Sequence, residues 1–223
     1  MLYSDIAAVF DKMEGTSSRL EMTSILSELF RTLDPSSLRD VVYLSQGKLH
    51  PDFFPQKLGM ADKLVMKAIS STSGFGESEV EKMLVKEGDP GTVAELLIKE
   101  KKQMALFSEP LTLERVIKNL LSIESAEGKD SQERKVKLLA NMLHDSGPEE
   151  SRYLCRTVTG RMRVGAGSMT ILDALASAFA DKSDRPDIER AYNITCDMGL
   201  VAETLASGGM EAVRSMKVKA GNP

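Results

Sequence analysis

With 223 residues, of which 42% are hydrophobic, 28% charged and 5% aromatic with no tryptophan, the chain can bury a sizeable core without staples and has the composition of a soluble helical protein. A formal charge of −4 excludes wholesale coating of nucleic acid, although it leaves open how charge is distributed over the faces. No apolar run approaches the roughly 20 residues of a membrane span and Met1-Leu2-Tyr3-Ser4-Asp5 lacks the regions of a signal peptide, so the expected location is cytoplasmic, with no membrane partner.

In chain order, Tyr3 to Met13 carries Ile6, Val9, Phe10 and Met13 at helical spacing, and Arg19 to Leu33 carries Met22, Ile25, Leu26, Leu29 and Phe30 likewise. Asp34-Pro35 opens a third helix, with Leu38, Val41, Val42 and Leu44 on its apolar side and a stop at Gly47. After a Pro-punctuated segment from His50 to Pro55, helices are predicted from about Ala61 to Ser70, from a Ser78 cap to Glu87, and from Asp89-Pro90 to Lys101. Beyond a connector at Gln103 to Pro110, Thr112 to Ile123, Ser131 to Asp145 and Glu149 to Val158 are helical by pattern, and another helix follows Gly167 with Ser168 as its expected cap. No strand pattern interrupts the series, so the fold class is all-α with about a dozen helices. The Met and Leu stripes read as core. Cys155 and Cys196 stand alone in apolar helical stretches, which favours reduced buried thiols over a disulfide or metal site, and His50 and His144 add no ligand spacing.

The second half repeats the first. Asp89, Gly91, Val93, Ala94 and Glu95 recur as Asp197, Gly199, Val201, Ala202 and Glu203 at a shift of 108 residues. Pro35 and Gly47 recur as Pro148 and Gly160 at a shift of 113, and Gly59 and Ala68 as Gly165 and Ala174 at a shift of 106. The difference of seven is an insertion at His50 to Gln56. An internal duplication into two pseudo-symmetric helical half-domains is therefore expected, with a first repeat at about 1–102, a connector at 103–110, a second repeat at about 111–213 and the start of a linker at 214–223.

One stretch is unlike the rest. Gly160-Arg161-Met162-Arg163-Val164-Gly165-Ala166-Gly167 packs two arginines and three glycines into a turn before a helix, and from Arg152 to Leu172 there are four basic residues and no acid. Glycines admit close approach of a bulky anion, while the N–H groups and dipole of the following helix favour phosphate. Under the repeat, the first half carries a matching turn at Gly47-Lys48-Leu49 and Lys57-Leu58-Gly59. The competing readings are a helical scaffold or protein-interaction domain without DNA affinity, in which the turn is an ordinary helix connection, and a helix-turn-helix regulator. The regulator would carry its basic residues on a recognition helix rather than in turns.

Leu58-Gly59 through Lys67-Ala68-Ile69, Asp89-Pro90-Gly91-Thr92-Val93-Ala94-Glu95, Arg161-Met162-Arg163-Val164-Gly165 and Asp197-Met198-Gly199-Leu200-Val201-Ala202-Glu203 resemble one family over essentially the whole chain. It is the N-terminal DNA-binding domain of ATP-dependent DNA ligases of archaeal and eukaryotic type. The resemblance implies an all-helical, monomeric domain that sits on the minor groove around a nick in double-stranded DNA, contacting phosphates with little base reading. It implies adenylation and OB-fold domains downstream, ATP and Mg2+ for the parent ligase but no cofactor or metal in this stretch, and an archaeal, nucleoid-associated setting in replication, repair and recombination. Carried onto this sequence, the DNA contacts are Gly160, Arg161, Arg163, Gly165, Gly167 and Ser168 in the second turn and Lys57, Gly59 and Ala61 in the first, with Lys48 and Lys63 beside them. Asp62 stands where the second half has Ser168, a departure that puts an acid beside phosphate unless it caps its helix.

Ligases of this kind use a lysine in a K-x-D-G motif to form a covalent nucleotidyl intermediate. The chain contains no such motif; Lys12-Met13-Glu14-Gly15 is a near match that reads as the end of a helix, so no catalytic residue is expected here. Gln103, Leu106 and Phe107 in the connector resemble a shortened sliding-clamp-binding motif, the alternative being that Leu106 and Phe107 pack the connector onto the domain.

Overall fold

A computed structural model describes residues 1–55, 58–100 and 109–218. Among them are twelve α-helices: α1 (Tyr3–Glu14), α2 (Arg19–Arg31), α3 (Pro35–Ser45), α4 (Asp62–Ser73), α5 (Glu77–Glu87), α6 (Pro90–Lys99), α7 (Leu113–Glu124), α8 (Ser131–Asp145), α9 (Pro148–Thr159), α10 (Ser168–Phe179), α11 (Arg185–Thr195) and α12 (Met198–Ser215). A 3-10 turn at Lys182–Asp184 precedes α11, and α12 is broken at Gly209, whose φ is 64°. No named strand occurs among the described residues, and the fold is all-α. Lys12 to Gly15 is indeed a helix end, since α1 stops at Glu14. Gln103, Leu106 and Phe107, with Lys57, lie outside the described residues.

Three local expectations are corrected. α5 starts at Glu77 on Gly76, because the Glu79 carboxylate accepts the Gly76 N–H at 3.4 Å, which leaves Ser78 inside the first turn. α10 starts at Ser168 with Gly167 as its N-cap, so Ser168 is the first helical residue and not the cap. Cys196 is not inside a helix but caps the end of α11 at φ 52°, half-buried, while Cys155 is fully buried in α9.

The chain forms two compact units. The first comprises residues 1–8 and 56–162 and holds α4 to α9; the second comprises residues 9–55 and 163–223 and holds α2, α3 and α10 to α12. The units thus cross the sequence repeat rather than follow it, because each takes helices from both sides of the connector. In the first unit α6 packs on α9 and α4 on α8; in the second α12 packs on α3 and α10 on α2.

What docks these helices is the repeated Asp-x-Gly-x-Val-Ala-Glu segment. Asp89 caps α6 by accepting the Thr92 N–H at 3.1 Å and also accepts Arg156 Nε at 2.9 Å, while Glu95 accepts Arg152 Nε at 2.6 Å. Between them, a Cβ on Gly91 would lie 2.7 Å from the Arg152 carbonyl oxygen, so only glycine lets α6 approach α9 this closely. In the second unit Asp197 caps α12 through the Leu200 N–H at 2.9 Å and accepts the Tyr43 hydroxyl at 2.5 Å, Gly199 lies against the Tyr43 ring, and Glu203 pairs with Arg39 at 3.1 Å. Arg39 and Tyr43 stand 113 positions before Arg152 and Arg156, the same shift that relates Pro35 to Pro148. The tyrosine makes the second dock a neutral donor to a carboxylate where the first is an ion pair. Burial and the bond to Asp197 together push the Tyr43 hydroxyl above its ordinary pKa, so it remains a donor.

Candidate nucleic-acid interface

The acid-free run from Arg152 to Leu172 does not deliver four surface charges. Arg156 is 3% exposed and paired with Asp89, and Arg152 is largely covered and paired with Glu95, so both serve helix docking. The partner acids Glu95 and Asp89 lie 57 and 67 positions away in the sequence, beyond the reach of a local charge pattern. The exposed charge narrows to Arg161 and Arg163.

In the turn itself burial alternates: Arg161, Arg163 and Gly165 face outward while Met162 and Val164 are buried. Two apolar side chains therefore pin a turn whose polar members are presented to solvent. Arg163 takes φ 54°, in the left-handed region where a side chain costs of order 1 kcal/mol, and has no ion-pair partner among the described residues. Gly160, at φ 68°, ends α9 and needs the same region. Gly165, at φ 69°, lies against Met22 of α2, whose Cε would be 3.0 Å from a Cβ there.

The first turn shows the same alternation, with Leu58 and Met60 buried and Gly59 and Ala61 exposed. Within the first unit it is tied to the end of α9, because the Met60 N–H donates to the Val158 carbonyl at 2.7 Å and Arg161 pairs with Asp62 at 3.2 Å. The fold thus gathers Gly59, Ala61 and Lys63 beside Gly160 and Arg161. Asp62 does not cap α4, as the sequence allowed: the N-cap is Ala61 with no side-chain bond, and Asp62 partly neutralises Arg161 instead. Lys63 is exposed, as is Lys67 one helical turn further along α4. Lys67 was passed over in the sequence, although its i+4 spacing from Lys63 places both on one helix face. In the second unit lie Arg163, Gly165, Gly167 and Ser168, the last half-buried, and Lys48, whose ammonium is closed onto both Asp52 oxygens at 2.9 Å.

The helices entered from these turns share a second property. α4 and α10 begin on Ala61 and Gly167 without a side-chain cap, whereas α2, α3, α6, α7 and α12 are capped by Ser18, Asp34, Asp89, Thr112 and Asp197. α5, α8, α9 and α11 also lack a cap bond, but acids stand at their starts and repel anions: Glu77 and Glu79, Asp130, Glu149 and Glu150, and Asp184. First-turn N–H groups left without a side-chain acceptor, beside glycine and a cationic side chain, suit phosphate oxygens. Gly59 and Gly167 add open space, since nothing lies within 4 Å of a Cβ at either position.

No group of three or more His, Cys, Asp or Glu residues among those described could hold a metal ion, and no helix among them is long and apolar enough to cross a membrane. A cleft of about 350 Å3 in the first unit is lined by Glu95, Glu149 and Glu150 with Lys99 and Ser4, an acidic lining that would repel phosphate.

Residues 2–176 match the family model described as DNA ligase N terminus. The chain is 40% identical over its full length to a DNA ligase of Cenarchaeum symbiosum, and covers 38% of that protein. It is 42% identical, again over its full length, to a DNA ligase of Acidianus ambivalens, covering 39% of it, and 43% identical over 99% of its length to DNA ligase 2 of Thermofilum pendens, covering 38%. The chain therefore spans about two fifths of the length of the curated relatives it matches.

Proposed function

The chain belongs to the family of DNA ligase N termini, and from that membership we propose that it binds nicked duplex DNA through the phosphate backbone along the minor groove, without reading sequence. The observation that carries this is the pairing, in both glycine turns, of exposed glycines and cationic side chains with a helix start that no side chain caps. Gly160, Arg161, Gly59, Ala61, Lys63 and Lys67 form the contact set of the first unit, and Arg163, Gly165, Gly167, Ser168 and Lys48 that of the second. Phosphate contacts of this kind position a protein on a duplex and carry no sequence information. The equivalent geometry of the two Asp-x-Gly-x-Val-Ala-Glu docks supports a duplicated helical unit as the origin of the two turns.

The whole protein is read as an ATP-dependent DNA ligase acting in replication, repair and recombination. ATP and magnesium belong, in this reading, to parts of the relatives that the chain does not match, as do the adenylation and OB-fold domains. Clamp binding by Gln103, Leu106 and Phe107 remains part of the proposal on sequence grounds alone.

Gly59→Ala tests the backbone part of this reading. The position has open space and a backbone any residue accepts, so the thermal midpoint should hold within about 0.5 kcal/mol of stability. The added methyl stands between the turn and a phosphate, and affinity for nicked duplex in a gel-shift titration should fall roughly tenfold. Unchanged affinity would remove Gly59 from the interface, and absence of binding by the parent chain would favour the scaffold reading.

A further inference from the structure

Two exposed apolar side chains in the proposed interface have no part in phosphate binding. Phe54, 38% exposed, lies in the first glycine turn between Lys48 and Gly59, and Met169, 42% exposed, is the second residue of α10, two positions after Gly167. Both belong to the second unit. Each is held in place. The Phe54 N–H donates to the Pro51 carbonyl at 3.0 Å, its ring centroid is 4.3 Å from that of His50, and Lys48 closes the same turn onto Asp52. Met169 Sδ accepts Arg185 NH2 at 3.4 Å, and Arg185 is itself fixed by Asp173 at 2.8 Å.

A large hydrophobic side chain that is immobilised yet left open to water gains by being covered, and beside phosphate-binding turns the apolar surface on offer is deoxyribose. We propose that Phe54 and Met169 pack against the sugar faces that wall the minor groove of duplex DNA, a proposal that rests on the DNA-binding reading above. Intercalation between base pairs, the other known use of such side chains in the minor groove, needs a wedge standing clear of the protein. Phe54 has His50 against its ring and is more than half covered, so it offers an edge and not a blade. A single-stranded base would likewise need an open ring face to stack on. Sugars are the same at every base pair, which makes this contact, like the phosphate contacts, independent of sequence. The seven-residue insertion that carries Phe54 has no counterpart in the second turn, so the two turns grip the groove differently.

The test is an anisotropy titration of nicked duplex with the chain and its variants. Phe54→Ala and Met169→Ala should each weaken binding roughly three- to tenfold, the scale of the apolar area left uncovered. The slope of log K against log salt should stay at the wild-type value, because no phosphate contact is lost. Phe54→Leu keeps an apolar edge and should recover most of the affinity, which separates this role from damage to the turn. Wild-type affinity in both alanine variants, or a reduced salt slope in either, would overturn the proposal while leaving the DNA-binding reading in place. Failure of the unmodified chain to bind would remove both.

Discussion

Arg156→Ala is expected to destabilise the protein by about 3–5 kcal/mol, the cost of stranding a buried carboxylate. Asp89 is 2% exposed, and its Oδ2 accepts Arg156, the Thr92 hydroxyl and the Thr92 N–H together. Removing the guanidinium leaves that charge without its counter-ion and opens space beside Gly91 at the α6–α9 contact. Asp89→Asn combined with Arg156→Met should recover a large part of the loss, since a buried pair is often replaceable by neutral side chains of similar volume. Burial opposes ionisation of Asp89, but hydrogen bonds from Arg156 and Thr92 outweigh it and hold the carboxyl below its ordinary pKa. A folded-state pKa lowered in this way contributes stability that is present above the unfolded value of about 4 and is lost as pH falls through the folded value. Urea unfolding of the wild type should therefore weaken from about pH 4 downward. That part of the acid sensitivity should be missing in the double variant; its persistence there would assign it to other carboxylates.

The second large effect is on DNA. Arg161→Ala together with Arg163→Gly should reduce the salt slope by roughly two units and affinity at low salt by more than tenfold. Glycine is the better replacement at position 163, because it removes the charge while relieving the φ of 54°. The two arginines are not equivalent. Arg163 has no ion-pair partner among the described residues, whereas Arg161 is shared with Asp62, so its removal also leaves an uncompensated acid near the phosphates. Asp62→Asn alone should then tighten binding several-fold, the reverse of its usual surface role. Unchanged affinity in the arginine double variant would detach the second turn from function.

The helices were legible in the sequence because their apolar spacing and their Asp-Pro and Gly punctuation are local signals. Asp34 and Asp89 cap where they were expected to, and α8 runs from Ser131 to Asp145 as its pattern predicts. The glycine turns were legible for the same reason. What sequence could not assign was the fate of individual charges. Arg152, Arg156, Arg161 and Arg163 share one segment, yet two are consumed by acids of α6, one is shared with α4 and one is left over. Those outcomes depend on helix pairing between distant parts of the chain. The same pairing hid the composition of the two units, since a repeat in sequence suggests contiguous halves, while Glu95 with Arg152 and Glu203 with Arg39 show each dock joining opposite halves. The caps of α4 and α10 were misread because Asp62 and Ser168, good capping residue types, sit one position inside the helix.

Binding of nicked duplex without regard to sequence is tested most directly by measuring the affinity of the unmodified chain for nicked duplexes of several unrelated sequences across a range of salt. Equal affinity for all of them is expected, with a log–log salt slope steep enough to count several phosphate contacts at roughly 0.9 per contact. Absence of binding, a flat salt dependence, or discrimination among the sequences beyond about tenfold would contradict it.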